Sequence, residues 1–409
     1  MTQDPIDWLL SLEQLGMKFG LDNMARLVAA QGHPERTFRS IHVAGTNGKG
    51  SVTAMVDSAL RAAGHLAARY TSPHLERLEE RFAIAGLDVP TVELRGAVAK
   101  VRAVVEHIER TVPGFSPTFF ECTTAAAFEL FRQRQVQIAV LEAGLGGRLD
   151  ATNVVAPVVA AITSIDFDHQ ALLGDTLESI AFEKAGIIKP AIPVVIGDLQ
   201  PNAEAVIITI ATERGAPVIR AAGASKRLPG LRPALAGRHQ LDNSDVAVAV
   251  LDTLSAAGVG VDVPDASIRA GIEHVTWPGR LERITSGKIE ILLDAAHNRA
   301  GARALAAHLT DTSWTDAALV FGAMRDKDVA GMLAELAASV SAIICTTAAS
   351  PRAETAEQIA GAASAISGHP PVYIEPDPAR AVKAAAALSQ RVVIAGSIFL
   401  IGPLRGILR

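Results

Sequence analysis

Short apolar runs and longer mixed segments alternate along the chain. Runs rich in Val, Ile and Ala predict strands at Ser40–Ala44, Gln137–Leu141, Val158–Thr163 and Pro193–Ile196. A second series predicts strands at Ile289–Leu293, Ala318–Phe321, Ala342–Cys345, Val372–Ile374 and Val392–Ala395. Longer Ala/Leu/Glu segments between them predict helices, among them Ser51–Ala63, Thr123–Gln133, Ala300–Leu309 and Pro378–Leu388. This alternation is the signature of βαβ units and a mostly parallel sheet. The predicted strands carry few polar interruptions, as strands covered by helices on both faces do.

The series restarts once. The segment WPGRLERITSGK combines Pro, Gly and charge, and fresh βα units follow it. The expected fold class is therefore α/β: a P-loop-type, mostly parallel sheet domain over 1–284, then a smaller Rossmann-like α/β domain over 285–409. Gly223–Gly237, rich in Gly, Pro and basic residues, is expected to be an exposed connection.

Composition narrows the partners. Across 409 residues, 38 Lys and Arg face 43 Asp and Glu, a net charge of −5 with both signs spread along the chain. That disfavours nucleic acid or an anionic membrane as the main partner. No apolar run approaches the ~20 residues of a membrane helix, and the start MTQDPIDWLL lacks the basic-then-apolar pattern of a secretory signal. Two cysteines, Cys122 and Cys345, are too few for a disulfide framework. They fit a reducing compartment, so a cytoplasmic protein is expected.

The strongest local signal is IHVAGTNGKGSV, Ile41–Val52, an apolar strand running into a Gly-rich turn with Lys49 and then into a helix-compatible segment. Such a turn lets backbone N–H groups converge on phosphate oxygens, and the helix N-terminus and the lysine add positive charge. Thr46, Asn47, Gly48, Lys49, Gly50 and Ser51 are the expected nucleotide contacts. The strict pattern G-x-x-x-x-G-K-[ST] is not met, because Val43 replaces its first Gly and Gly50 its hydroxyl residue.

The shortened loop A-G-T-N-G-K resembles that of the Mur ligase superfamily, and the following Gly50-Ser51 resembles its folate branch, the folylpolyglutamate synthases and bifunctional dihydrofolate synthases. Further segments match that branch in order: KFGLDN (Lys18–Asn23), TSPHL (Thr71–Leu75), FFECTTAAAF (Phe119–Phe128), LEAGLGGRLDATN (Leu141–Asn153) and SIDFDHQALLGDTLESIAFEKAGIIK (Ser164–Lys189). GRHQLDN (Gly237–Asn243), WPGRLE (Trp277–Glu282), LLDAAHN (Leu292–Asn298), FGAMRDKD (Phe321–Asp328) and AGSIFLIG (Ala395–Gly402) follow, so the resemblance spans nearly the whole chain. Ala295 stands where the branch usually has Gly.

The resemblance implies an ATP-dependent ligase that adds L-glutamate to dihydropteroate and to reduced folates through an acyl phosphate. ATP and Mg²⁺ are the implied cofactors, with Mn²⁺ able to substitute, and a monomer is implied. Monofunctional folylpolyglutamate synthase is the near alternative. A peptidoglycan Mur ligase is expected less, because the phosphate loop begins so early in the chain. A nucleotide-switch protein is also expected less, because no Asn-Lys-x-Asp motif occurs.

The resemblance also assigns site residues. Glu142, Ser72 and His169 are implied metal ligands. Read alone, Glu142 ends an apolar strand, where the sites of parallel sheets collect. Ser72 reads as a turn hydroxyl, and His169 beside Asp166 and Asp168 reads as a proton-transfer or transition-metal residue. Lys184, by itself an ordinary surface lysine, matches a lysine that CO₂ can carbamylate, which needs a neutral amine favoured by burial. Lys184, Lys49 and His297 are the implied catalytic residues. Asn243 (by itself a helix cap), Arg280 and Asp294 are implied nucleotide contacts, with Arg280 reaching ATP on closure. Lys18, Phe19, Gly20, Leu21, Phe119, Phe120, Glu121, Cys122, Leu149, Asp150 and Ala151 are implied to line the dihydropteroate site, with Arg148 and Asp150 open to pairing with each other. Ser397, with Arg325 and Lys327, is implied to hold glutamate or tail carboxylates.

Overall fold

The structure is a computed structural model and describes residues 3–16, 18 and 20–409. It divides into two compact units. The large one takes in the chain to Ile165, then Leu177–Ala234 and Asp242–Val275; the small one takes in Asp166–Thr176, Leu235–Leu241 and Thr276–Arg409.

The large unit is built on eight strands: β1 Arg39–Ala44, β2 Ala67–Tyr70, β3 Phe82–Ile84, β4 Leu87–Asp88, β5 Ile138–Glu142, β6 Val159–Ile162, β7 Val194–Ile196 and β8 Val218–Arg220. Their order is β4-β3-β2-β5-β1-β6-β7-β8. The run from β2 to β8 is parallel, whereas β3 and β4 add antiparallel at one edge. The uninterrupted apolar runs were legible as β1, β5, β6 and β7. The others are too short and too mixed (AARY, FAI, LD, VIR) to stand out, and pairing to a neighbour makes them strands. Every residue of β1 but the first is buried, which fixes the strand that carries the phosphate loop. Helix Asp265–Glu273 crosses helix Lys49–Ala62 so closely that a Cβ on Gly271 would lie 2.4 Å from the Ala59 backbone.

The small unit has six strands: β9 Glu282–Ser286, β10 Ile289–Leu293, β11 Ala318–Phe321, β12 Ala342–Cys345, β13 Val372–Ile374 and β14 Arg391–Ala395, ordered β13-β12-β11-β14-β10-β9. All pairings are parallel except that of β9 with β10, which are joined by a two-residue turn at Gly287 and Lys288. The expected boundary at 284/285 therefore falls inside β9. The segment that holds the expected boundary contains one strand of a hairpin, fastened by Glu282 to Arg405 (2.8 Å) on the C-terminal helix. Asp166–Thr176 and Leu235–Leu241 also group with the small unit, although they lie well inside the span expected for the first domain. Gly223–Gly237 mixes exposed with half-buried residues and is anchored by buried Leu228 and Leu235.

Gly271→Val should overpack the crossing of the two helices and lower stability by about 2–3 kcal/mol. A fall in the denaturant midpoint at constant slope would show this, and an unchanged midpoint would refute the tight crossing.

Candidate active site

The phosphate loop leaves β1 at Ala44 and enters its helix at Lys49, with Gly48 in the left-handed region (φ +85°) as N-cap. The first intrahelical bond runs from the Val52 N–H to the Gly48 carbonyl (2.9 Å). The amides of Lys49, Gly50 and Ser51 precede it, as in other helix N-termini that receive anions. The loop's path is set from β6. Thr46 N–H donates to the Ser164 carbonyl (2.8 Å), Asn47 N–H donates to Ser164 Oγ (2.9 Å), and the Thr163 hydroxyl donates to the Asn47 carbonyl (2.6 Å). Gly45 is required there, since its Cβ would fall 1.9 Å from Thr163 Oγ1. Asn243, buried on helix His239–Ala256, packs against Gly48, where a Cβ would lie 2.2 Å from its Oδ1. Lys49 Nζ donates to the carbonyls of Gly45 (3.0 Å) and Thr46 (3.2 Å). Lys184 is no surface lysine: only 4% exposed, it donates to the same Gly45 carbonyl at 2.9 Å.

Glu142, 6% exposed, ends β5 in register with Val43 of β1, just ahead of the phosphate loop. Half-buried Ser72 follows β2, whose Tyr70 pairs with Leu141, so Ser72 and Glu142 leave neighbouring strand ends. Two oxygen donors beside a phosphate loop fit a hard divalent cation that also takes phosphate ligands. His169 belongs to the small unit, with its backbone in the left-handed region (φ 50°). Its Nε2 lies 3.1 Å from Lys327 Nζ. Burial, reinforced by Lys327 and His297 and opposed by Asp168 and Asp326, lowers its pKa to about 4. Among the described residues, no three His, Cys, Asp or Glu side chains gather as a metal cage.

An aromatic and basic cluster flanks the start of helix Phe119–Gln133. The ring of Phe120 lies 6.0 Å from that of Tyr70, and a Cβ on Gly144 would touch it at 2.6 Å. The Arg81 guanidinium stands 5.1 Å over Phe119. Arg81 is buried and donates through Nε to His74 Nδ1 (2.9 Å). Sequence reasoning missed Arg81; the only signal was a charged residue at the head of the apolar stretch Phe82–Ile84. Lys18 donates to the Ser116 carbonyl (2.9 Å), as does Asn23 (3.2 Å), which ties the KFGLDN segment to the loop before the helix. Gly20 and Leu21 are half-buried beside it, while Phe19 lies outside the described residues.

Two residues of this group have other duties. The Glu121 carboxylate caps its own helix, accepting from the Thr118 N–H (2.7 Å) and hydroxyl (2.9 Å). Cys122 is fully buried in the apolar core, where burial pushes its thiol pKa well up. Asp150 is buried and accepts from the amides of Leu145 (2.9 Å) and Thr152 (3.0 Å), with Ala151 buried and Leu149 half-buried next to it. Arg148 pairs with Glu183 (2.8 Å), not with Asp150.

In the small unit Asp294 directly follows β10 and accepts from the amides of Leu281 and Ala296 (both 2.9 Å). Arg280 folds back to its neighbour's carbonyl on Gly279 (3.3 Å), which also takes the Ala295 N–H (2.9 Å). His297 Nδ1 donates to the Ala295 carbonyl (2.9 Å). The organising residue is one the sequence did not single out. Asp168, 9% exposed, accepts from Lys327 (2.5 Å), from Asn298 Nδ2 (3.1 Å) and from the His169 amide (2.8 Å). Burial opposes ionisation of Asp168, but the His297 hydrogen bond and the charges of His297, Lys327 and His169 hold its carboxyl well below the usual range. Ser397, 2% exposed, is the N-cap of the C-terminal helix, accepting from the Phe399 N–H (3.1 Å), so its oxygen serves the backbone. Arg325 is likewise turned to a backbone carbonyl, that of Pro351 (2.5 Å).

The chain joins a mostly parallel sheet, with a phosphate loop at its strand ends, to a second α/β unit, and residues 279–398 match the family model "Mur ligase, glutamate ligase domain", which makes it a Mur-type ligase. The chain is 34% identical to the dihydrofolate synthase/folylpolyglutamate synthase of Bacillus subtilis over 98% of both chains. It belongs to that family. Among solved structures it resembles E. coli FolC in complex with DHPP and ADP (TM-score 0.88, 31% identity, 99% of this chain and 98% of that one). It equally resembles a bifunctional folylpolyglutamate synthase/dihydrofolate synthase with Mn, AMPPNP and L-glutamate bound (TM-score 0.86, 33% identity, 100% and 98%). No described helix is long and apolar enough to cross a membrane.

Burial and the neighbouring Arg81 lower the pKa of His74 from the ordinary imidazole value of 6.5 to about 4. Folding thus favours its neutral form; the stability this ring contributes is full above pH 6.5 and falls as pH drops from there toward 4. Its NMR signals should stay those of a neutral ring between about pH 5 and 8, and a midpoint near the unperturbed value would refute the Arg81–His74 arrangement.

Proposed function

We propose that this chain is an ATP-dependent ligase that joins L-glutamate to dihydropteroate, giving dihydrofolate, and to reduced folates, extending their glutamate tails. The observation that carries the proposal is the Glu142 carboxylate at a strand end directly beside the phosphate loop, in a chain similar over its whole length to ligases of this kind. A substrate carboxylate attacks the γ-phosphorus of ATP, giving an acyl phosphate and releasing ADP. The amine of glutamate then attacks the acyl carbon, an amide forms, and phosphate leaves with the proton passing to solvent or base.

Both steps gather negative charge, so cations and oriented N–H groups supply most of the stabilisation. The loop from Thr46 to Ser51 would cradle the phosphates, with Lys49 leaving its loop carbonyls for a phosphate oxygen. Asn243, Arg280 and Asp294 are assigned to the rest of the nucleotide. Mg²⁺ or Mn²⁺, when bound, neutralises the phosphate oxygens; Ser72 and Glu142 would hold one ion, and His169 would serve a second position once Lys327 turns from its Nε2. His297 is assigned to the nucleotide or the incoming amine, and Lys327 to a substrate carboxylate. Phe119, Phe120 and the 144–151 loop form the pterin side, with Arg81 added to it for the substrate's negative charge. We place the reaction in the cytoplasm and in a monomer; both cysteines are buried and free.

Lys184 is proposed to be carbamylated, because its buried amine on the Gly45 carbonyl would become an anion able to support the metal site. Lys184→Arg should lower kcat about a hundredfold or more, the scale of one lost electrostatic group; near-normal turnover would overturn the carbamate role. The function itself is tested by ADP release from Mg²⁺-ATP and glutamate with dihydropteroate or tetrahydrofolate added separately. Both acceptors should support turnover. Release with tetrahydrofolate alone would remove the dihydrofolate synthase activity, and release with neither would remove the folate assignment.

A further inference from the structure

Three positions before the phosphate loop's first glycine, strand β1 buries an imidazole that none of these roles uses. His42 is 0% exposed, and its Nε2 lies 2.8 Å from the hydroxyl of Thr152, also 0% exposed. That hydroxyl is in turn hydrogen-bonded to Asp150 Oδ1 at 2.5 Å. A threonine hydroxyl has one hydrogen and an ionised carboxylate has none. Thr152 therefore gives its hydrogen to Asp150 and takes one from His42, which makes His42 the Nε2–H tautomer. The other ring nitrogen fits this assignment: Nδ1 is buried and has no hydrogen-bond partner among the described residues, as a bare lone pair does. Burial, with the nearby charge of Lys189, lowers the ring's pKa to about 3, so it is neutral at physiological pH.

The far end of this chain is where it acts. Asp150 ties the loop that leaves β5 onto itself, taking the Leu145 amide on one oxygen and the Thr152 amide on the other. Burial raises the Asp150 pKa, and the donors around it, Thr152 first, oppose that rise. Each link polarises the next, so a donor two bonds away strengthens the hold on the carboxylate.

We propose that His42 is a positioning residue that acts through Thr152 on the Asp150 carboxylate and so sets the shape of the 144–151 loop that receives the pterin-bearing substrate. This rests on the folate reading for what the loop receives, but not for the relay itself.

The test combines kinetics with ¹⁵N NMR of the imidazole. His42→Leu removes the donor, His42→Gln returns an N–H at similar reach, and Thr152→Val breaks the chain while leaving the ring. His42→Leu and Thr152→Val should each raise KM for dihydropteroate about tenfold, the scale of one hydrogen bond in a charged chain. KM for ATP and kcat should stay within about twofold, His42→Gln should recover most of the loss, and the double variant should be no worse than either single one. Equal losses for ATP and dihydropteroate, or an unchanged dihydropteroate KM in Thr152→Val, would overturn the proposal. In the wild type the ring should show the neutral Nε2–H pattern; an Nδ1–H or protonated ring would overturn the relay even if the wild type proved inactive with folates, an outcome that counts against the functional reading alone.

Discussion

Two lysines share one backbone oxygen. The Gly45 carbonyl accepts from Lys49 at 3.0 Å and from Lys184 at 2.9 Å, and Thr163 stands where a side chain on Gly45 would have to go. This fixes the loop in three ways at once. Its own helix is tied back through Lys49, helix Leu177–Ala185 is tied to it through Lys184, and its turn is closed by β6 through Thr163 and Ser164. A loop so held keeps its N–H groups oriented before any ligand arrives, which is what electrostatic preorganisation requires. Glu142 and Asn243 take their meaning from it, because each is placed by an element that packs against this turn.

The small unit solves a related problem with a carboxylate. Asp168 is buried and would be costly alone, but it gathers a lysine, an asparagine and a backbone amide around itself. The arrangement holds the short Asp166–Thr176 segment in a unit whose other residues lie far along the chain. It also explains why His169 has its ring against Lys327: both follow from the same buried anion.

Much of this was legible in the sequence, and the reason is local. The phosphate loop announces itself because glycines and a lysine after an apolar strand have few other uses, and the buried parallel strands do so because they are uninterrupted. The rest depends on partners distant in sequence. His42 meets Thr152, Thr163 meets Asn47, and Lys327 meets Asp168, each across more than 100 residues. No spacing rule reports such a pair. The segment around 284/285 shows the same in miniature: ERITS carries no strand signal of its own until its partner β10 is beside it.

Glu121 and Ser397 show a different ambiguity. Both sit in segments that match the family, and both carry oxygens suited to a ligand, yet each oxygen is engaged with a helix N-terminus. Helix caps and anion or metal sites draw on the same residue types, because both need a short side chain whose oxygen meets a partner at close range. What separates the two roles is which hydrogens the oxygen already receives. Asp150 satisfies both descriptions: it caps the short turn Ala151–Val154 and binds Leu145 across the loop, while the hydroxyl it accepts from, that of Thr152, is itself hydrogen-bonded to His42 of β1. A residue of that kind is better understood by following its hydrogen bonds inward than by asking what it faces.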